Sequence, residues 1–185
     1  MSRPALRRTD KAMTPHDIAA LLATARVVNL ATVGADGVPY VVPNLFIWED
    51  GAMRVHTTSA QGHFARNLAA SPRVCFAVHE AGEVFPYGEF DCDTSMAFRS
   101  VIGWGTATIE DAEADKARFF DGLMAKYGDP SWQRPPGFYP RLGEVTVFRI
   151  AVEELTGKSG PLPGPAERWP AVNATRSPGA VPPRR

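Results

Sequence analysis

Cysteine is scarce in this chain. The two residues present, Cys75 in an apolar run and Cys92 in a polar one, have neither CxxC spacing nor a third partner. A structural zinc site is not expected from such a pair, which reads as free thiols of a reducing compartment. Excess charge of either sign is missing as well: Lys+Arg and Asp+Glu number 20 each. Nothing in that balance favours a polyanionic partner, so no nucleic acid is expected. No apolar run approaches the ~20 residues of a membrane span. The basic start MSRPALRR leads into TDKAMTPHD rather than an apolar leader core, so the expected location is the cytoplasm, with no membrane partner. Internal repeats are absent, and so is any Ser-His-Asp or paired-carboxylate arrangement. What remains is a length of 185 residues, enough for one domain with tails and one solid core without disulfides.

The patterns that are present alternate between helix and strand. TPHDIAALLATA starts with Thr14 as N-cap, Pro15 at the first helical position and Asp17 three residues after the cap. Ile18, Leu21, Leu22 and Ala25 fall on one face of that helix. RVVNLATV and VPYVVPNLFIW are β-rich runs joined by GADG, a hairpin signal, and EDG turns the second run back as AMRVHTT. Three consecutive antiparallel strands are expected from these turns. A second helix over residues 62–70 packs Phe64, Ala65 and Leu68 and stops at Pro72. RVCFAVHE alternates as a strand with two unlike faces, AGEVFPYGEFDCDTS reads as irregular, and MAFRSVIGWGTATIE as a long strand that Gly103 and Gly105 allow to bend. AEADKARFFDGLMAKYG places Ala117, Phe120, Leu123, Met124 and Tyr127 at helical spacing before a C′ glycine, Gly128. EVTVFRIAVEEL supplies the last strand. Six strands with peripheral helices and few parallel crossovers predict a mainly β fold, an antiparallel Greek-key-like barrel. The domain is expected over residues 1–158, followed by a flexible Pro/Gly-rich tail over 159–185 in which Trp169 docks locally.

One short stretch carries a chemical signal. RVHTTSAQGHFARNL, residues 54–68, crowds three hydroxyls and two histidines where the chain turns from strand to helix. Such a junction exposes unpaired N–H groups at the positive end of the helix dipole, so the cluster is either an ordinary helix cap or a phosphate seat.

In order and spacing, ATVGADGVPYVVPNLFIWEDGAMRVHTTSAQGHFARNLAASPRVCFAV, CDTSMAFRSVIGWGTATIED and VFRIAVEELTGK resemble the pyridoxamine 5′-phosphate oxidase-like, FMN-binding split-barrel family, in particular its nitroimidazole-resistance-like branch. The resemblance spans residues 7–158. It implies a six-stranded split barrel, a homodimer, and FMN at the dimer interface with its phosphate at the junction just described. By position, Val42, Pro43 and Asn44 would line the ring, which lies along residues 40–45. His56, Thr57, Thr58 and His63 would face the ribityl chain and phosphate, with Phe64 beside them and Arg99 and Ser100 as interface contacts. Relatives often carry an arginine or lysine pair where this chain has His63-Phe64. The phosphate charge would then rest on hydroxyls, backbone dipoles and a protonated His63. Related split barrels take haem or the deazaflavin F420, and FAD is a further alternative.

The other polar residues have plainer readings. His79 and Cys92 show no ligand spacing with His56 and His63, so no metal site is expected. Asp91, Cys92 and Asp93 read as a surface loop, and Arg99 as either a rim ion pair or a cation facing flavin or substrate. Trp48 and Trp104 read as core or interface anchors. The resulting expectation is an FMN-dependent oxidoreductase acting on a small molecule, with NAD(P)H as a donor. The other readings are a non-catalytic flavin carrier or sensor and a haem- or F420-binding protein; no side-chain catalytic apparatus is required when the cofactor carries the electrons.

Overall fold

The computed structural model describes residues 6–58, 60–87 and 92–164. Its elements in chain order are α1 (Pro15–Thr24), β1 (Val28–Val33), β2 (Pro39–Asn44), β3 (Ile47–Glu49), β4 (Ala52–Thr57), α2 (His63–Ala70), β5 (Arg73–Pro86), β6 (Thr94–Glu110), α3 (Glu113–Tyr127) and β7 (Thr146–Gly160). The strands form one antiparallel sheet in the order β2-β1-β5-β6-β7-β4-β3. The mainly β architecture expected from the sequence is the one observed.

The strand count is seven rather than six. VPYVVPNLFIW, read as one strand, breaks at Leu45 and Phe46, and the two pieces pair at opposite edges of the sheet: β2 with β1, β3 with β4. Two intervening residues span at most about 11 Å. The two edges of the sheet therefore meet at one end, which curls the sheet into a barrel left open along its side. The break has a side-chain cause. Phe46 is fully buried, and its N–H donates to the Tyr127 hydroxyl at 3.2 Å. That hydroxyl shares its single proton between the carbonyls of Phe46, at 2.8 Å, and Arg26, at 2.9 Å. A tyrosine at the end of α3 thus takes the place of a ladder partner. Lys126 completes the clasp, with its ammonium 3.6 Å from the Phe46 ring centroid and donating to the Leu22 carbonyl of α1 at 3.2 Å.

The barrel interior is filled by alternate residues of every strand, among them Leu30, Met53, Val55, Phe76, Val78, Phe148 and Ile150. α1 and α2 close it with Leu21, Leu22, Phe64 and Leu68. Thr14 caps α1 as expected, accepting the Asp17 N–H. α3 lies outside the barrel, where Phe119, Leu123 and Tyr127 pack on Ile47 and Val147. Leu123 and Tyr127 are buried as expected, but the anchor beside them is Phe119, fully buried, while Phe120 and Met124 are only partly buried. Gly128 is a C-cap in extended rather than left-handed geometry, and a Cβ there would stand 2.4 Å from the Met124 carbonyl oxygen, which is why the position is glycine.

β5 and β6 run further than their sequence patterns suggest. AGEVFP continues β5 through a register shift between Ala81 and Val84, so it is strand and not irregular loop. Gly103 is required by contact, since a Cβ would fall 2.1 Å from the Phe76 ring. At Gly105 the register with β7 shifts by one residue, which is the expected bend. β7 continues to Gly160, pairing Ser159 with Arg99 and Gly160 with Phe98. Those backbone groups find ladder partners on β6, so the strand itself extends past 158. Trp169 lies outside the described residues.

The clasp at Phe46 predicts that Tyr127→Phe strands a buried N–H and two carbonyls. Urea unfolding of that variant should show a loss of about 1–3 kcal/mol; a loss within a few tenths would mean that the crossover is held by other contacts.

Candidate functional site

Among the described residues of the strand-to-helix junction, 54–68, no side chain caps α2. Gly62 stands at the N-cap of α2, with no side-chain hydrogen bond to the helix. The N–H groups of His63, Phe64 and Ala65 have no intrahelical acceptor, as in any first turn. Thr57 is half-buried at the end of β4 and Thr58 is exposed just beyond it. Two hydroxyls therefore precede, a few residues along the chain, a helix start that offers N–H donors and no acidic side chain in its first turn. Its donor set suits an anion. His63 is exposed at the first helical position, its ring edge-on to Tyr40 of β2 at 5.4 Å. Phe64, in contrast, turns inward. Its ring is buried against Phe148, so only its backbone reaches the junction.

α2 is tied to the β1–β2 hairpin. Asn67 donates to the buried Thr32 hydroxyl at 3.0 Å. β2 is an edge strand, and its hydrogen-bonding parity follows from the hairpin: Gly34 N–H donates to the Val38 carbonyl at 3.0 Å, and Tyr40, Val42 and Asn44 continue that parity toward β1. Pro39, Val41 and Pro43 therefore face the free edge. Proline has no N–H, so its place on that side costs nothing, and Val41 holds the one outward amide of the strand. Side chains alternate independently. Val42 packs on the core, while Val41 and Pro43 stand on the outer face of the sheet. Val42, Pro43 and Asn44 thus do not share one surface, as period-two geometry dictates. Asn44 donates instead to the His56 carbonyl at 3.1 Å, fixing the end of β2 to β4.

That outer face continues across four strands. Val41 is in register with Ala31, Ala31 with Cys75, and Cys75 with Trp104; Pro43, Asn29, Ala77 and Ile102 form the next row. Val41 and Ile102 remain 59% and 39% exposed, an apolar sheet surface beside the α2 start. Phe46 belongs to the core instead and cannot contribute to it.

His56 is also on the outside of the barrel, but at β4, where α3 covers it. It lies on the opposite side of β4 from Val55 and Thr57, its ring against Phe119 at 5.4 Å and Phe120 at 5.3 Å. Its Nδ1 is buried and has no hydrogen-bond partner among the described residues, and burial pushes its pKa below the usual histidine value. Arg99 and Ser100 are also elsewhere. β6 is three strands from β2, about 14 Å across the sheet, and Ser100 pairs with Lys158 at the far end of β7 from Thr57, which pairs with Thr146. Arg99 forms a rim ion pair with Glu80. His63 thus meets Tyr40 of β2, Thr57 and Thr58 precede it along the chain at the end of β4, and His56, Arg99 and Ser100 lie elsewhere. The exposed Cys92 and the half-buried Asp93 are in the loop after β5, while Asp91 lies outside the described residues. Among the described residues no group of His, Cys, Asp and Glu could hold a metal ion, and no helix is long and apolar enough to cross a membrane.

Known proteins share this architecture. A family model described as pyridoxamine 5′-phosphate oxidase matches residues 14–159. The flavocytochrome Anf3 of Azotobacter vinelandii superposes with a TM-score of 0.72 at 20% identity, over 98% of this chain and 88% of its own. An FAD and haem binding protein of Mycobacterium smegmatis gives 0.68 at 18% identity, over 94% of each chain. A candidate 5-nitroimidazole antibiotic resistance protein of Bacteroides thetaiotaomicron gives 0.66 at 21%, over 80% of this chain and 85% of its own. At these identities the likeness shows the fold. No curated protein matches the sequence.

The buried imidazole has a measurable consequence. A histidine whose folded pKa is depressed stabilises the fold above its unfolded value near 6.5 and loses that contribution as pH falls toward the folded value. Between about pH 7.5 and pH 5.5, the melting temperature should therefore fall more steeply for the native chain than for His56→Gln. Parallel curves would show that the ring is solvated.

Proposed function

The chain belongs to the pyridoxamine 5′-phosphate oxidase family, and from that membership and the geometry of α2 we propose that it is an FMN-dependent oxidoreductase acting on a small molecule. The observation that carries the proposal is the helix start at Gly62, open to an anion and preceded along the chain by Thr57 and Thr58. Two structural neighbours, named as a flavocytochrome and as an FAD and haem binding protein, support a flavin.

In this reading Thr57, Thr58 and the first-turn amides of α2 hold the phosphate, and His63 stands beside it where an imidazolium adds positive charge. The Val41 amide is the donor available to a polar ring atom along the edge of β2. Val41, Ala31 and Cys75 form the apolar surface next to it. When bound, the flavin supplies the electron transfer, and the protein supplies position, a donor at the ring and exclusion of water from one side. NAD(P)H is the proposed electron donor. A homodimer fits the same geometry: the apolar rows through Val41, Trp104, Pro43 and Ile102 would be covered by a second copy. Arg99 and Ser100 would reach a flavin only across that interface. Sedimentation of the loaded protein reads the assembly directly, and a flavin-loaded monomer would oppose it.

The phosphate seat is tested by comparing FMN with riboflavin, which has the same ring and ribityl chain without the anion. Charge-assisted hydrogen bonds and the helix terminus together favour FMN by roughly 2–4 kcal/mol, on the order of 30- to 1000-fold. Thr57→Val with Thr58→Val should remove most of that preference and leave riboflavin binding nearly unchanged. Equal affinities in the native protein would overturn the seat.

A further inference from the structure

The residues after α3 build a second cavity that the flavin reading does not use. Residues 129–139 fold back over α3 and enclose about 770 Å³, within the range of small-molecule sites. Its walls are aromatic: Phe120 and Tyr139 meet at 5.4 Å on one side, and Trp132 and Phe138 face it from the loop. Trp132 and Phe138 remain 46% and 65% exposed, although an aromatic ring gains most by burial.

Turns and prolines shape the loop that carries those rings. Asp129 accepts the Ser131 N–H at 2.8 Å, Gln133 adopts a left-handed conformation with φ of 47°, and Gly137 turns with φ of 69°. Prolines at 130, 135, 136 and 140 restrict the rest. Two charged groups serve the cavity. The Tyr139 hydroxyl donates to Asp121 Oδ1 at 2.7 Å, which holds the carboxylate in place with acceptor capacity to spare. The Arg134 guanidinium lies 5.0 Å from the Trp132 ring centroid. Stacking faces, one carboxylate acceptor and one guanidinium suit a flat heterocycle that bears an amine or hydroxyls and a phosphate.

The cavity lies on the α3 side of β4. Phe120, which lines it, touches the ring of His56, the residue before Thr57. We propose that this cavity binds the adenosine 5′-phosphate half of a dinucleotide, with the base between Trp132 and Phe138, Asp121 accepting from its amine or ribose, and Arg134 on the phosphate. The dinucleotide is either the flavin itself, as FAD, or the nicotinamide donor; the flavin alternative rests on the reading given above, whereas the adenosine pocket does not.

Calorimetric titration with AMP tests it. One AMP should bind per chain, and Trp132→Ala with Phe138→Ala should weaken it by about tenfold or more, as loss of stacking on a base does, without moving the melting temperature. Arg134→Gln should weaken AMP and leave adenosine unchanged, which keeps the test valid if the double variant melts early. A parallel loss of FAD affinity with FMN affinity intact identifies the flavin as the source, and a loss confined to NADPH identifies the donor. Absence of AMP binding, an unchanged AMP affinity in both variants, or saturable binding of haemin but not AMP would overturn the proposal. Failure of FMN to bind while AMP still does would sink the flavin reading and leave the adenosine pocket standing.

Discussion

The two-residue crossing at Leu45 and Phe46 is the constraint on which the rest of the structure depends. It takes the chain from one edge of the sheet to the other in one step, and no flat sheet can accommodate that. The sheet must curl until β2 and β3 approach at their shared end, and the long strands β5, β6 and β7 must bend to follow. Gly103 and Gly105 permit this on β6 at the points where a side chain would strike Phe76 or the Ala151 carbonyl. The crossing residues cannot join a ladder, so their polar groups need other partners, and Tyr127 provides them from α3. Its hydroxyl also binds the Arg26 carbonyl, between α1 and β1, so one side chain fixes the barrel seam to its outer helix and to the chain entering β1.

The same crossing leaves β2 with an unpaired edge. Such an edge invites unwanted association, and this chain limits it with Pro39 and Pro43, which leave only the Val41 amide facing outward. An edge with one donor, bordered by an apolar sheet face and the open end of α2, has the chemistry of a seat for a flat ring that carries an anion. Catalytic side chains need not be present, because the backbone and hydroxyls provide binding and the flavin would provide reactivity.

Local rules made much of this legible. Thr14-Pro15-Asp17 marks the start of α1, the Asp50-Gly51 turn marks the β3–β4 hairpin, and the alternation of Val74, Phe76 and Val78 marks the inner face of β5. The junction at residues 54–68 was visible as a strand-to-helix turn rich in hydroxyls. The break in VPYVVPNLFIW was not, because the residue that causes it lies 81 positions away in sequence. Nor could a strand pattern say which of His56 and Thr57 faces the junction; that depends on α3 covering one side of β4. Arg99 and Ser100 were separated from the cluster by sheet order, a long-range property. The aromatic loop after α3 left a signal that went unused: three aromatic residues among four prolines within residues 130–140.

In the proposed complex a flavin ring lies along the free edge of β2 with its phosphate at α2. The exchange and chemical shift of the Val41 amide, followed by NMR with and without FMN, test that placement. This amide should exchange readily in the flavin-free protein, then shift and become protected on binding, while the β1-facing amides of Tyr40 and Val42 are protected throughout. A flavin that binds and leaves the Val41 amide unshifted and exchanging as before would contradict it.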